Sequence, residues 1–124
     1  MTKAVSRVYV VDDDASARQA LGRLLKSAGF EVKLCASAQE FLDFGAVEPD
    51  AVIILDLRMP GISGLELQKR LMAAGETRPI IFLTAFEDPQ ARGEALGRGA
   101  VAFLHKPVDE EVLFGAISKA GGEA

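Results

Sequence analysis

The sequence predicts an α/β fold: a single doubly wound domain with a five-stranded parallel sheet and five helices. Short β-branched, apolar runs alternate with amphipathic stretches of roughly a dozen residues, the length of crossover that joins parallel strands. Two of the runs, 51–55 and 79–83, are apolar at every position, which is typical of strands buried on both faces. Helices should therefore cover both sides of the sheet.

The first strand is predicted over 7–11 and stops at three consecutive aspartates, of which Asp14 is the expected N-cap of the next helix. That helix is predicted over 15–28, because apolar residues recur there at three- and four-residue spacing. Gly29 follows it as a left-handed C-cap. Residues 31–35 alternate polar and apolar, which predicts a strand nearer the edge of the sheet.

The middle of the chain contains a strand between two capped helices. Ser37, with a glutamate three residues later, predicts the start of a short helix that runs through Phe44. The strand over 51–55 follows, and the loop after it carries Pro60 and two glycines. Ser63 repeats the serine–glutamate spacing and predicts the start of the third helix.

The last part of the chain contains two more strands and two more helices. The strand over 79–83 leads to a helix over 89–98, which two glycines make the weakest of the five. A short strand over 101–104 follows. Asp109 is the expected cap of the final helix, whose apolar residues extend to Ile117.

The composition excludes several classes of protein. A chain of 124 residues has room for one domain, and 14 Lys and Arg against 18 Asp and Glu leave a net charge of −4, which argues against nucleic-acid binding. The apolar runs are far shorter than the about 20 residues that span a bilayer. Residues 1–4 do not open onto a signal-peptide core, and Cys35 alone cannot form an internal disulfide. We expect a cytoplasmic domain without membrane contact.

Polar residues stand where the predicted strands end: Asp12 and Asp13 after the first, Asp56 after the third, Thr84 after the fourth and Lys106 after the fifth. Because the carboxyl ends of parallel strands share one edge, these side chains should converge in one pocket. Three carboxylates repel one another, and a hard divalent cation such as Mg²⁺ relieves that repulsion. With a hydroxyl and an ammonium, the pocket suits phosphoryl transfer, with Asp56 as covalent acceptor.

Four segments carry a resemblance to a known family: VVDDD at 10–14, LDLRMPGISG at 55–64, LTA at 83–85 and HKP at 105–107. In this order and spacing the chain resembles the response-regulator receiver domain of two-component signalling, and its FixJ-like branch in particular. The resemblance implies a flavodoxin-like sheet with strand order 2-1-3-4-5 and a receiver over 5–120. Residues 121–124, which include two glycines, are expected to form a flexible end, as at the start of a linker to an output domain.

The resemblance implies roles for the residues of the site. Asp56 would accept a phosphoryl group from a sensor histidine kinase. Asp12, Asp13, Asp56 and the backbone carbonyl of Arg58 would bind Mg²⁺ or Mn²⁺, and Lys106 would pair with the Asp56 carboxylate or its phosphate. Such a domain catalyses its own phosphorylation and dephosphorylation, but it is a signalling module and not a metabolic enzyme.

The resemblance also implies a switch. Thr84 would move toward the phosphoryl group while the ring of Phe103 turns inward, which remodels the surface of helix four, strand five and helix five. The bond between Lys106 and Pro107 would be cis. The output would be transcription through a DNA-binding domain outside this chain, with homodimerisation on phosphorylation. The alternative is a stand-alone receiver that acts through protein–protein contacts.

Two other functions fit this architecture less well. A flavodoxin-like cofactor carrier needs a Ser/Thr/Gly-rich phosphate loop after the first strand, where this chain has three aspartates. A haloacid-dehalogenase-type phosphatase would use Asp12 and Asp14 and would leave Asp56 without a role.

Four side chains outside the motifs lead to further expectations. Arg58 and Phe86 flank the pocket and should hinder the approach of water to an acyl phosphate. Arg18 and Arg23, on the first helix, are expected to belong to a solvated face.

Overall fold

The computed structural model describes residues 5–45 and 47–121 and contains five strands and five helices in alternation. The strands are β1 (Arg7–Val11), β2 (Glu31–Cys35), β3 (Ala51–Leu55), β4 (Ile80–Thr84) and β5 (Ala102–His105). The helices are α1 (Ala15–Ser27), α2 (Ala38–Asp43), α3 (Gly64–Ala73), α4 (Pro89–Gly97) and α5 (Glu110–Ala120). All strand pairs are parallel, in the order β2-β1-β3-β4-β5, which confirms the predicted sheet.

The strand register brings the ends of distant segments to one edge of the sheet. Val11 of β1 lies opposite Cys35 of β2 and opposite Leu55 of β3, and Thr84 of β4 lies opposite His105 of β5. The strand order reverses between β1 and β3, and ligands bind at such reversals in open α/β sheets. The residues after each strand are therefore neighbours at this edge.

Two apolar layers hold the sheet between its helices. On one face, β1 contributes Val8 and Val10 to a cluster with α1 and α5 that includes Leu25 and Leu113. On the other face, Tyr9 belongs to a cluster with residues of α2, α3 and α4. Every residue of β3 and β4 is buried, as expected of strands that are apolar throughout.

The predicted helix caps are present. The carboxylates of Asp14 and Asp109 each accept hydrogen bonds from two backbone amides at the starts of α1 and α5, and the hydroxyls of Ser37 and Ser63 each accept one at the starts of α2 and α3. Gly29 has a φ of +98°, the left-handed conformation predicted after the first helix.

The element boundaries differ from prediction by a residue or two. The strand predicted over 79–83 begins at Ile80, where its pairing with β3 starts, and extends to Thr84. Pro79 has no N–H to donate to a neighbouring strand. Helix α1 ends at Ser27, one residue earlier than predicted. Of the flexible end predicted over 121–124, residues 122–124 lie outside the described residues.

Helix α4 buries only small side chains. Asp88 caps it and Pro89 opens it, and the residues that it buries are two alanines, Ala91 and Ala95. A side chain at Gly93 or Gly97 would meet open space. Within residues 5–45 and 47–121, no helix combines the length and apolarity that crossing a bilayer requires.

Candidate functional site

Three carboxylates meet at the edge where the strand order reverses. Oxygens of Asp12, Asp13 and Asp56 all lie within 4.8 Å of one another, a spacing that could hold a metal ion. Asp12 and Asp56 are 4% and 9% exposed, whereas Asp13 is exposed to solvent. An open cavity of about 530 Å³ lies over Asp13 and Asp56. It is lined by Asp13, Asp14, Asp56, Arg58, Met59, Pro60, Ala85, Phe86 and Lys106.

Lys106 provides the ammonium group of this cluster. Its Nζ lies 2.6 Å from a carboxylate oxygen of Asp12 and 3.8 Å from one of Asp56. The lysine is therefore bonded to Asp12, and the pair with Asp56 is the longer contact. Its backbone amide donates to the Thr84 carbonyl at 2.8 Å, and the peptide bond to Pro107 is cis.

Asp12 is held on four sides. Its backbone amide donates to the Cys35 carbonyl at 3.1 Å. One carboxylate oxygen accepts from the Asp14 amide at 2.9 Å, and the other accepts from Lys106. Its carbonyl accepts from Nη1 of Arg18 at 2.8 Å. The expectation that Arg18 belongs to a solvated face was wrong, because a guanidinium one turn into α1 reaches back over the loop.

Burial perturbs the carboxylate of Asp56. Desolvation raises its pKa to about 6, against the opposing effect of the Lys106 charge, and the nearby Asp12 raises it further. A backbone hydrogen bond from Arg58 acts in the opposite direction. The Asp56 amide donates to the Val11 carbonyl at 2.9 Å, which fixes the residue beside β1.

Gly64 lies directly against the backbone of Asp56. A Cβ at this position would come within 2.3 Å of the Asp56 carbonyl oxygen and 3.0 Å of the Phe82 ring. The Gly64 amide donates to the Leu57 carbonyl at 2.9 Å. The first residue of α3 thus packs on the peptide that follows the candidate acceptor, a close approach that only glycine permits.

Thr84 and Phe103 lie beside the acidic cluster, not within it. Thr84 is fully buried, and its Oγ1 accepts a hydrogen bond from the Phe86 amide at 3.2 Å. Phe103 is buried, with its ring centroid 5.8 Å from that of Phe82 and 6.0 Å from that of His105, which is itself exposed.

Arg58 and Phe86 form a stacked pair at the rim of the cavity. The guanidinium carbon of Arg58 lies 4.3 Å from the centroid of the Phe86 ring, within the range of a cation–π contact. The same guanidinium lies 3.7 Å from a carboxylate oxygen of Asp88, the N-cap of α4. The pair therefore joins the loop after β3 to the loop after β4.

The donor atoms fit a hard divalent cation. Mg²⁺ prefers oxygen ligands and is held through one or two carboxylates together with water. Asp12, Asp13 and Asp56 offer only carboxylate oxygens, and the cavity that Asp13 and Asp56 line is open to solvent. These residues could therefore hold Mg²⁺ or the chemically similar Mn²⁺.

Comparison with known proteins identifies the family. The model of the response regulator receiver domain matches residues 8–118. The chain belongs to this family. The receiver is 41% identical over 119 residues to the transcriptional regulatory protein TdiR of Thauera aromatica, covering 96% of this chain and 52% of the relative. It is 42% identical over 113 residues to the transcriptional regulatory protein FixJ of Bradyrhizobium diazoefficiens, covering 91% and 55%.

A solved structure supports the same assignment. The receiver superposes on FixJ-N with a TM-score of 0.87 at 35% identity, covering 100% of this chain and 98% of that one. The chain spans about half the length of TdiR and FixJ. The match therefore covers the receiver domain of these relatives and not the remaining half of their sequences.

Proposed function

We propose that the receiver accepts a phosphoryl group on Asp56 from the phosphohistidine of a sensor histidine kinase, in a reaction that depends on Mg²⁺ or Mn²⁺. The observation that carries the proposal is the convergence of Asp12, Asp13, Asp56 and Lys106 from three separate strand ends, with Asp13, Asp56 and Lys106 facing one open cavity.

The chemistry follows from the positions of these groups. A carboxylate oxygen of Asp56 forms the new bond to phosphorus while the bond from phosphorus to the histidine nitrogen breaks, and the imidazole leaves with a proton. A divalent cation, held by Asp12, Asp13, Asp56 and the Arg58 carbonyl, would neutralise charge on the phosphoryl oxygens. Lys106 would bind the same oxygens, since its Nζ already lies 3.8 Å from Asp56. The receiver would thus catalyse its own phosphorylation and later hydrolysis.

An apolar groove beside the site offers a place for the kinase. It measures about 340 Å³ and is lined by Asp12, Ala17, Ala20, Leu21, Leu24, Leu83, Lys106, Pro107 and Val108. Because Asp12 and Lys106 belong both to the groove and to the acidic cluster, a helix of the kinase seated on α1 would bring its phosphohistidine to Asp56.

The output is proposed to follow from movement near Thr84. A phosphoryl group on Asp56 would draw the Thr84 hydroxyl from the Phe86 amide and allow Phe103 to repack, which changes the surface of α4, β5 and α5. We propose a receiver over 5–120 that controls transcription in the cytoplasm and dimerises on phosphorylation, because the relatives are transcriptional regulators. A stand-alone receiver is the alternative, and the gene sequence after Ala124 distinguishes the two.

Phosphorylation with a small donor tests the proposal. With acetyl phosphate and Mg²⁺, the intact protein should gain the mass of one phosphoryl group, and Asp56→Asn should gain none. Asp14→Asn is the matched control, because asparagine caps helices as well as aspartate and Asp14 lies outside the acidic trio. A wild-type protein that stays unmodified, or an Asp56→Asn variant that is modified as readily, would refute it.

A further inference from the structure

The peptide unit between Asp12 and Asp13 joins a well-anchored residue to an exposed one. A peptide unit is rigid and planar, so the direction of the Asp12 carbonyl also sets the direction in which the chain enters Asp13. Asp12 itself is fixed by Lys106 and by two backbone hydrogen bonds. Asp13 differs: in the part of the chain that the structure describes, nothing hydrogen-bonds its carboxylate, and the residue is exposed. Its position depends on its backbone.

Arg18 makes a direct contact with that backbone. Its Nη1 donates to the Asp12 carbonyl at 2.8 Å, across the loop from β1 to α1. Its own amide donates to the Asp14 carbonyl at 2.9 Å, in the first turn of the helix that Asp14 caps. The guanidinium is half-buried, and a hydrogen bond from a charged donor is stronger than one between neutral groups. One side chain thus ties the Asp12–Asp13 peptide to the rigid start of α1.

We propose that Arg18 is a positioning residue for the metal site: by holding the Asp12 carbonyl, it aims the Asp13 carboxylate at the other two. The inference rests on the proposed function, because it assigns Arg18 to the same cation. Residues that orient metal ligands typically change affinity by 10- to 100-fold when removed, which sets the scale of the expected effect.

Arg23 provides the matched control. It lies on the same helix and carries the same charge, but it is exposed and no hydrogen bond or ion pair involves it among the described residues. If Arg18 acted only as a positive charge near acidic residues, Arg23→Met would show part of its effect. Methionine has nearly the helix propensity of arginine, so both Arg18→Met and Arg23→Met should fold.

The first measurement is the affinity for Mg²⁺ by isothermal titration calorimetry at physiological salt. We expect Arg18→Met to raise the Kd about tenfold and Arg23→Met to change it less than about twofold, since exposed charges are screened. Equal Kd values for Arg18→Met and wild type, or equal increases in the two variants, would overturn the proposal. If wild type binds no Mg²⁺, the proposed function fails and the second measurement decides.

The second measurement is made without metal, by NMR relaxation. In wild type the Asp13 amide should have an order parameter near that of rigid backbone, about 0.85, and Arg18→Met should lower it toward about 0.6. The amides of α1 beyond Arg18 should not change in either variant. An Asp13 amide that is equally ordered in wild type and Arg18→Met would show that the arginine does not position it.

Discussion

The two ends of the sheet carry similar numbers of charged side chains but differ in how those side chains are paired and buried. At the amino end, Arg7 lies 3.4 Å from Glu31, 3.6 Å from Glu48 and 3.3 Å from Asp50, and Lys33 lies 3.3 Å from Glu48. Acids and bases are interleaved and partly solvated there. Two bases face three acids in this network, and because the pairs are partly solvated their electrostatic energy is screened and offers little to a ligand.

At the carboxyl end, Asp12 and Asp56 are buried and share one base, Lys106, while Asp13 brings a third negative charge. Burial without balanced pairing is costly, and the elevated pKa of Asp56 is the sign of that cost. The number of charged side chains therefore does not distinguish the two ends. The carboxyl end is distinguished by buried carboxylates that outnumber the bases beside them.

The largest effect on the free energy of unfolding should come from removing the ionisable carboxyl group of Asp56. Its pKa of about 6 exceeds the about 3.9 of an unfolded aspartate, so the native state holds its proton to higher pH. In EDTA, the free energy of unfolding of wild type should fall relative to Asp56→Asn between about pH 4 and pH 6, by roughly 2–3 kcal/mol in total. Urea unfolding across this pH range measures the difference. If the free energies of unfolding of the two proteins change with pH in parallel, the Asp56 carboxylate does not carry the proposed electrostatic cost.

Gly64→Ala should disturb the carboxyl end by sterics alone. The added methyl would meet the Asp56 carbonyl at 2.3 Å, and overpacking of this kind costs about 2 kcal/mol. The control is Gly93→Ala, where the methyl meets open space and alanine should stabilise α4 by up to about 1 kcal/mol. If urea unfolding shows the two substitutions to be equal, the close approach at Gly64 carries no constraint.

The stacked pair of Arg58 and Phe86 should affect the lifetime of the phosphorylated receiver rather than its free energy of unfolding. A cation–π contact is worth about 0.5–1 kcal/mol, so removing this cover in Arg58→Asn/Phe86→Ser should speed loss of phosphate about two- to fivefold. Release of radiolabelled phosphate from the phosphorylated proteins gives both rates. Equal or slower release from the double variant would show that the pair does not shield the acyl phosphate.

The amino end should give the smallest effect. Arg7→Met removes three ion-pair contacts at the surface, and we expect a loss below about 1 kcal/mol that shrinks in high salt. Phosphorylation by acetyl phosphate should be unchanged. A larger loss that salt does not reduce, or slower phosphorylation, would mean that the two ends are not independent.

Much of the fold was predictable because local signals agree with the tertiary structure. Apolar runs ending in polar residues located β1 and β3 without error, and Asp14, Ser37 and Ser63 located the helix starts. The meeting of Asp12, Asp13, Asp56 and Lys106 followed from parallel topology alone.

Three features of the site depend on tertiary geometry that periodicity does not encode. The preference of Lys106 for Asp12 over Asp56 is a difference of about an ångström between two acceptors, 2.6 Å against 3.8 Å. The approach of Gly64 to the Asp56 carbonyl depends on how α3 packs on its loop. The Arg18 contact joins a side chain to a backbone carbonyl, which any residue type could supply. Its spacing, four residues after an N-cap, is the signal that could have found it.

The glycines of α4 have a consequence in conformational entropy. Gly93 and Gly97 lose more backbone freedom on folding than any other residue would, at roughly 0.5–1 kcal/mol each relative to alanine. An added Cβ at either position would meet no atom within 4 Å, so packing does not require glycine there. The two glycines therefore lower the free energy needed to disorder α4. The helix that begins five residues after Thr84 melts at a smaller cost than it would with alanine at both positions.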